Sequence, residues 1–446
     1  MASSNPTSCS PFTRAVVNSM KKLYPECLAD KSFDNTGLLL EAPFSFTRQK
    51  KNSVLLTVDL TRAVADEAIE RGDSVIIAYH PIIFRGLKSL TLSDPQQASL
   101  LRLAHHGISV YSPHTAVDAV PDGMADWLLD VVMETKTPPR GPIFSQTRSA
   151  IYPEQTPPPG FEKAGKGRIA STDRPVCLTS LVDNLMLNLN RPYGIPIALP
   201  QGKKVPDMSN IRTIATCPGS GSSILMKNGK PVADVLVTGE MSHHDALAAI
   251  EHGSAVISLF HSDSERGYLR EVMRGYLAEA LRDEWDALRA QEAAALEGGD
   301  GDGDMKDWLS DPNFTISVSE RDRDPYEVWP AAPIETHEVL KDLVNFLSQL
   351  HRYTTHGPSV ETIKLIKSNS GYSSPSPSPA PASSTPASSP SPCTTDFPRA
   401  SSAPKIMPST NSKSIQKAST ASSVTLFTST GLRMAFRFSV ASTSAE

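Results

Sequence analysis

The sequence has few cysteines and no long apolar run, which argues against a disulfide framework and against a membrane-spanning helix. The five cysteines among 446 residues are scattered and odd in number, with no CxxC pair. This indicates a reducing compartment and argues against a disulfide framework or a zinc knuckle. No apolar stretch approaches the ~20 residues of a membrane-spanning helix, so we expect no membrane partner.

The sequence also lacks an excess of basic charge. It has 43 basic and 48 acidic residues, a net charge of −5, and no long run of lysine and arginine. Proteins that bind nucleic acid nonspecifically neutralise phosphates with clustered basic side chains. We therefore expect no direct nucleic-acid partner.

Residues 370–446 are rich in serine, proline and threonine, beginning with SGYSSPSPSPAPASS. Such a composition buries too little apolar surface to offset the entropy cost of ordering. We predict a disordered tail there, a passive one rather than a polyproline-type ligand or a phosphorylation target. An amphipathic helix, VLKDLVNFLSQLHRY, is predicted within the extension 331–369.

The remaining sequence alternates apolar runs of strand length with segments of helical period. SVLLTVDL, DSVIIAYH and ISVYSPH read as strands separated by two helices, and RTIATCPG, VADVLVTGE and SAVISLFH repeat the pattern. We predict an α/β fold of two similar lobes, 10–135 and 166–330, with mainly parallel sheets flanked by helices. The proline-rich stretch 136–165 is predicted as a linker.

Three histidines follow predicted strands, and two of them precede a carboxylate by four residues. His80 ends the second strand, His114 is followed by Asp118, and His261 is followed by Glu265. Ligands in parallel sheets bind beyond the carboxyl ends of strands, and one helical turn places residues i and i+4 on one side. Imidazole and carboxylate are common ligands of zinc, iron and manganese, so these residues predict a site for one or two divalent ions.

Other candidates have weaker patterns. His243 and His244 begin a helix, where a capping role and a supporting role beside Glu240 are equally compatible with the sequence. His105 and His106 suit a helix end, and no site is expected there. The segment GSGSS, residues 219–223, lacks the Lys-Ser/Thr of a P-loop and is better read as a tight turn near the pocket than as an anion cradle.

At these residues the chain resembles the NIF-three-like family, also named GTP cyclohydrolase one type two homologs. The similar segments run in family order from about residue 12 to residue 328. They are DNTGLLLE (34–41), LTVDLT (56–61), AYHPIIFR (78–85), YSPHTAVDA (111–119), CPGSGSS (217–223), TGEMSHHDAL (238–247), LFHSDSERGYL (259–269) and VSERDRDP (318–325).

The resemblance implies a toroidal homohexamer with a metal centre in each interlobe cleft. By the matching positions, His80, Asp118 and Glu265 would bind one metal, and Glu265 would bridge to a second metal that His261 also binds. His114 would act as a further ligand or a proton relay. We accordingly expect His114 and Glu265 to take part in catalysis.

One position departs from the family pattern. Many bacterial members have two adjacent histidines where this sequence has Tyr79-His80. Because a phenol stays protonated near neutral pH, Tyr79 leaves the second metal one ligand short. We predict weak or absent occupancy of the second site.

The function expected from these residues and this resemblance is metal-dependent hydrolysis of a small nucleotide-like or phosphorylated substrate by metal-bound hydroxide. The alternative is a metal-stabilised ring that binds partner proteins, transcriptional regulators among them, without catalysis; a metal chaperone or sensor is a third reading. We expect a cytoplasmic protein. The serine-rich, acid-poor N-terminus leaves the mitochondrion as the alternative, although its apolar stripe from Phe12 to Leu23 suits a helix of the fold.

Overall fold

The structure is a computed structural model that describes residues 9–44, 51–133, 146–190, 194–296 and 303–328, together with two strands near the C-terminus. The strands, in chain order, are β1 (Gly37–Leu40), β2 (Ser53–Thr57), β3 (Val75–Ala78), β4 (Ser109–Ser112), β5 (Gln146–Pro153), β6 (Gly165–Val176), β7 (Ile197–Ala198), β8 (Ile211–Ser220), β9 (Met226–Lys227), β10 (Lys230–Pro231), β11 (Val235–Glu240), β12 (Ala255–Ser258), β13 (Thr315–Val318), β14 (Ala421–Phe427) and β15 (Arg433–Ser439).

The helices connect and cover these strands. They are α1 (Pro11–Leu23), α2 (Arg62–Arg71), α3 (Pro95–His105), α4 (Thr115–Ala119), α5 (Met124–Met133), α6 (Leu178–Asn188), α7 (Ser222–Leu225), α8 (His243–Glu251), α9 (Arg266–Tyr268), α10 (Arg274–Leu296) and α11 (Gly303–Ser310). Short 3-10 turns occur at Glu26–Leu28, Val205–Asp207 and Ser262–Ser264, and a π-helical turn at Leu269–Met273 joins α9 to α10.

The first sheet has the strand order β1-β4-β3-β2-β13, in which β2, β3 and β4 are parallel. Every residue of these three strands is buried, as their continuous apolar runs predict. Helix α2 begins after the Thr61 side chain caps its amide groups and ends at Gly72, which has a φ of 68°. The predicted strand–helix alternation is confirmed in this region.

The second sheet has the order β5-β6-β8-β11-β12-β7. Strands β8, β11 and β12 are parallel, as in the first sheet. Strands β5 and β6 add an antiparallel hairpin beside β8, and β7 pairs antiparallel with β12. The α/β class with parallel strands flanked by helices is therefore confirmed, and the second sheet is mixed.

Two segments differ from the predicted boundaries. The predicted linker 136–165 contains β5, which its proline and glycine content concealed. Strand β13 lies in the predicted second lobe but pairs with β2 of the first sheet. The two sheets also share one large cluster of buried apolar side chains, so a division into two lobes stays a prediction.

Helix α1 belongs to the core. Phe12, Val16 and Met20 are fully buried, and the ring of Phe12 packs edge-to-face on Trp285 of α10 at 5.4 Å between ring centres. The N-terminal apolar stripe therefore has a structural role, as expected. No helix in the described ranges is both long and apolar enough to cross a membrane.

The C-terminal part of the chain is a separate unit. Contacts divide the chain into residues 1–393 and 394–446. Within the predicted disordered tail, β14 and β15 form an antiparallel pair. The predicted extension 331–369 lies outside the described residues.

Cys9, Cys27 and Cys217 are free, whereas Cys177 is disulfide-bonded, which the scattered cysteines did not predict.

Candidate metal centre

The strand-end histidines of both sheets meet in one cavity of about 420 Å³. His80 follows β3, His114 follows β4, and His261 follows β12 by three residues. Asp118 lies on α4, and Glu265 lies between the 3-10 turn Ser262–Ser264 and α9. All five predicted site residues line this cavity, because parallel strands bring the residues after their carboxyl ends to the same edge of a sheet.

Three of the predicted ligands are close enough to share an ion. The Nε2 atom of His80 lies 3.5 Å from Oε2 of Glu265, and the Nε2 atom of His261 lies 3.5 Å from Oε1 of the same carboxylate. The three ligand atoms lie within 4.8 Å of one another, and the described residues contain no second such group of histidine, cysteine and carboxylate. Asp118 is outside this group, although it lines the same cavity.

The buried carboxylates are short of donors. Glu265 is 1% exposed, and neither its Oε2 atom nor Oδ1 of Asp118 has a hydrogen-bond partner among the described residues. Leaving a carboxylate oxygen buried and unpaired is costly unless a cation compensates its charge. Imidazole nitrogens and carboxylate oxygens together form the donor set of zinc, iron or manganese, so the residues fit a divalent cation.

Proton affinities in the cavity reflect the same excess of negative charge. Burial raises the pKa of the Asp118 carboxyl to about 8, and the charge of Glu265 adds to this effect. Burial lowers the pKa of His80, but the hydrogen bond to Asp59 and the attraction of the Asp59 and Glu265 charges outweigh it and raise that pKa to about 10. Without a cation the cavity retains protons, which a divalent ion would displace.

Each histidine of the cavity is held through Nδ1 by a carboxylate. Nδ1 of His80 lies 2.9 Å from Oδ1 of Asp59, and Nδ1 of His261 lies 3.0 Å from Oε1 of Glu240. A carboxylate on one ring nitrogen fixes the tautomer and leaves the other nitrogen for a metal. The sequence interpretation considered Glu240 only as a neighbour of His243 and His244, whereas its carboxylate contacts His261; it gave Asp59 no role.

His114 has the same arrangement. Its Nδ1 atom lies 2.5 Å from Oδ1 of Asp34, whose other oxygen accepts hydrogen bonds from the amide and hydroxyl of Thr115. His114 has a φ of 35°, and Phe260, directly before His261, has a φ of 67°. Non-glycine residues rarely adopt such angles, which cluster at functional sites.

The carboxylate beside His80 is itself supported by Arg266. The Arg266 guanidinium lies 3.3 Å from Asp59 and 2.6 Å from Asp322, which follows β13. Asp322 also accepts a hydrogen bond from the amide of Val58 at 2.7 Å. Asp322, after β13, is therefore linked to His80 through Arg266 and Asp59.

Tyr79 occupies the position where the resemblance suggested a missing ligand. Its hydroxyl is buried and donates a 2.8 Å hydrogen bond to Oδ2 of Asp118. Burial, with the charges of Asp118 and Glu265, raises the pKa of Tyr79 well above its ordinary value. Tyr79 therefore stays a phenol and leaves only the other oxygen of Asp118 unpaired.

Gly219 forms one wall of the centre. It has a φ of 63°, and a side chain there would place its Cβ 2.6 Å from Oε1 of Glu265 and 3.0 Å from Nε2 of His261. Its amide donates to Ser264, which agrees with a tight turn rather than an anion cradle. His243 and His244 are exposed and lie outside the cavity lining.

The fold and this cavity together define an α/β protein whose histidine–glutamate group suits a divalent cation. The family model described as Duf34/NIF3 (NGG1p interacting factor 3) matches residues 13–291. The chain belongs to the Duf34/NIF3 family, which confirms the resemblance seen in the sequence.

Relatives in several organisms show the same similarity. The chain is 44% identical over 266 residues to the protein NIF3 homolog of Schizosaccharomyces pombe, covering 59% of this chain and 88% of that one. It is 38% identical over 270 residues to NGG1-interacting factor 3 of Saccharomyces cerevisiae, covering 59% and 90%. A solved Bacillus cereus protein related to NIF3 aligns with a TM-score of 0.49 and 19% identity, covering 71% of this chain and 98% of that one.

Proposed function

We propose that this chain binds a divalent cation through His80, His261, Glu265 and Asp118 and hydrolyses a small nucleotide-like or phosphorylated substrate. The observation that carries the proposal is the pair of buried carboxylates with unpaired oxygens beside two imidazole nitrogens. A bound divalent cation lowers the pKa of a water molecule that it holds and polarises an oxygen of the substrate.

The residues around the cation have two proposed roles, orientation of the metal-binding imidazoles and proton transfer. Asp59 and Glu240 orient the two metal-binding imidazoles through Nδ1. Asp34 holds Nδ1 of His114, so that Nε2 of His114 is the atom available to take or deliver a proton in the cavity.

Metal-dependent turnover in a panel of phosphoesters, nucleotides and cyclic amides tests this function. The His114→Asn variant should retain the cation and lose most of its kcat, because it keeps a hydrogen-bonding side chain but removes the proton-transferring nitrogen. If no member of the panel turns over with any of zinc, manganese or iron, hydrolysis loses its support and the cation has another role.

The second candidate is a regulatory protein-binding function, for which the name of the Saccharomyces cerevisiae relative, NGG1-interacting factor 3, is the specific observation. The Glu265→Gln variant separates the two: it should abolish turnover and leave partner capture unchanged. The homohexamer remains a proposal from the resemblance, and the cytoplasmic location remains a proposal from the sequence.

A further inference from the structure

Two phenylalanines are exposed at the cavity that holds the metal centre. Phe33 is 53% exposed and Phe84 is 45% exposed, and both line the cavity. Their ring centres are 6.3 Å apart, and each ring packs edge-on to His114 at 6.4 Å. Large aromatic faces left open beside a polar centre are available for another ring to stack on.

The phenylalanines are held in place by the loops that carry them. Asn35 Nδ2 donates a hydrogen bond to the carbonyl oxygen of Ile83, which ties the residue after Asp34 to the residue before Phe84. Asp34 fixes His114 and Thr115, and its amide donates to the carbonyl of Asp30 at 3.0 Å. Asn35 thus ties together the loops that carry Phe33 and Phe84, and Asp34 holds His114, which contacts both rings.

The distances suit one small molecule that contacts both parts. His114 lies 5.5 Å from the ring of His80 and 6.4 Å from each phenylalanine ring, between ring centres. All four side chains line one cavity of about 420 Å³, so one small ligand there can contact both His80 and a phenylalanine ring.

We propose that Phe33 and Phe84 form a stacking subsite that selects substrates with a flat aromatic or heteroaromatic ring next to the metal-binding group. This inference rests on the proposed function and specifies its substrate class. The rings act as a specificity determinant, and His114 lies between the bound ring and the cation.

The test uses hydroxamates, which chelate divalent metals and differ here only in the attached group. Zinc binding by the full chain is measured first, and the zinc-loaded protein is then titrated with acetohydroxamate, benzohydroxamate and cyclohexanecarbohydroxamate. We expect benzohydroxamate to bind about tenfold more tightly than acetohydroxamate. It should also bind more tightly than the cyclohexane compound, which has similar apolar bulk without a flat face.

Phe84→Leu keeps apolar bulk and removes the flat face, so the preference for benzohydroxamate over the cyclohexane compound should disappear. Phe33→Ala should reduce the same preference. The matched control is Leu92→Ala, which removes an exposed apolar side chain outside the cavity lining and should leave the preference intact.

Three results would overturn the inference. Equal binding of the three hydroxamates by the zinc-loaded protein refutes the subsite alone. A preference that survives in Phe84→Leu and Phe33→Ala, with a changed sedimentation coefficient, assigns the two rings to self-association instead. Failure to bind zinc, manganese and iron alike removes the proposed function and this subsite with it.

Discussion

Glu265 is a carboxylate that the fold buries almost completely without supplying donors for both of its oxygens. Nearby Asp118 has the same deficit, and both lie beside imidazoles whose outer nitrogens are already bonded to carboxylates. Stable proteins seldom leave such charges unpaired, because the desolvation cost reaches several kcal/mol per ion. This shortage of donors is the observation that favours a bound cation as the partner of both carboxylates.

Neutralising Glu265 should separate cation binding from folding. Glu265→Gln should weaken zinc binding about 100-fold or more, since replacement of even the outer partners of metal ligands costs 10–100-fold. The metal-free variant should still fold, because glutamine has nearly the same volume as glutamate, and its melting temperature should depend less on pH, since the charge that helps to raise the pKa of His80 is gone. Calorimetric titration and thermal melts in chelator measure both effects. The exposed Glu251→Gln is the control, and unchanged zinc affinity in Glu265→Gln would contradict the assignment.

Tyr79 should decide how many ions the centre holds. The wild-type chain is expected to hold one tightly bound ion, because the Tyr79 phenol binds Asp118 and supplies no ligand. Tyr79→His should raise the stoichiometry to two ions per chain, whereas Tyr79→Phe should leave it at one. Elemental analysis of the purified proteins gives the numbers, and two tightly held ions in the wild type would refute the prediction.

The strand-end histidines and their carboxylates were predictable from the sequence, whereas their partners were not assigned. Asp59 follows β2 and His80 follows β3, and these neighbouring parallel strands bring the two side chains together. Glu240 at the end of β11 meets His261 after β12 for the same reason. Once strand order is known, these contacts follow, but strand order is not encoded in the periodicity of a single sequence.

At the scale of elements, the segment after β13 has a supporting role. Asp322 binds Arg266 and the amide of Val58, and the buried carboxylate of Glu67 accepts hydrogen bonds from Ser319 and the two amides that follow it. These contacts tie the segment after β13 to α2 and to Val58, directly after β2. They place Arg266 next to the carboxylate that orients His80.

Asp322→Asn should therefore affect both folding and the metal centre. We expect a loss of about 1–3 kcal/mol in the free energy of unfolding, because Arg266 loses a charged partner. Zinc affinity should fall by about tenfold through misorientation of His80. Urea unfolding in chelator and zinc titration measure the two effects, with the exposed Glu320→Gln as control. A stability loss with unchanged zinc affinity would limit Asp322 to a structural role.

The two unpredicted strands, β5 and β13, were missed for different reasons. Strand β13 finds its partner β2 about 260 residues earlier in the chain, and no local pattern in TISV indicates that sheet. Strand β5 lies among proline-rich segments, which the composition indicates as a linker. Buried strands β2 to β4 were predictable because their apolar runs are continuous and bounded by clear helix caps.

For the whole molecule, the metal-free protein should lose stability as pH rises. Asp118 has a folded-state pKa of about 8, above its ordinary value near 3.8, and His80 one of about 10, above 6.5. A group with a raised pKa contributes stability below its unfolded pKa and loses it as pH rises through the folded pKa. Between about pH 6.5 and 8 both contributions decline, so melting temperatures in chelator should fall across this range.

Zinc binding should show the opposite dependence. Because the ion displaces protons from the centre, its affinity should rise over the same pH range, and binding should release protons. Calorimetry in buffers of different ionisation enthalpy measures the release. A pH-independent zinc affinity would contradict the protonation of the empty centre.

The most direct test of the central claim is anomalous diffraction from crystals of the full chain grown with zinc, collected on both sides of the zinc absorption edge. A single strong anomalous peak should lie between Nε2 of His80, Nε2 of His261 and the Glu265 carboxylate. Crystals that contain zinc but show no anomalous peak in this cavity would contradict the account.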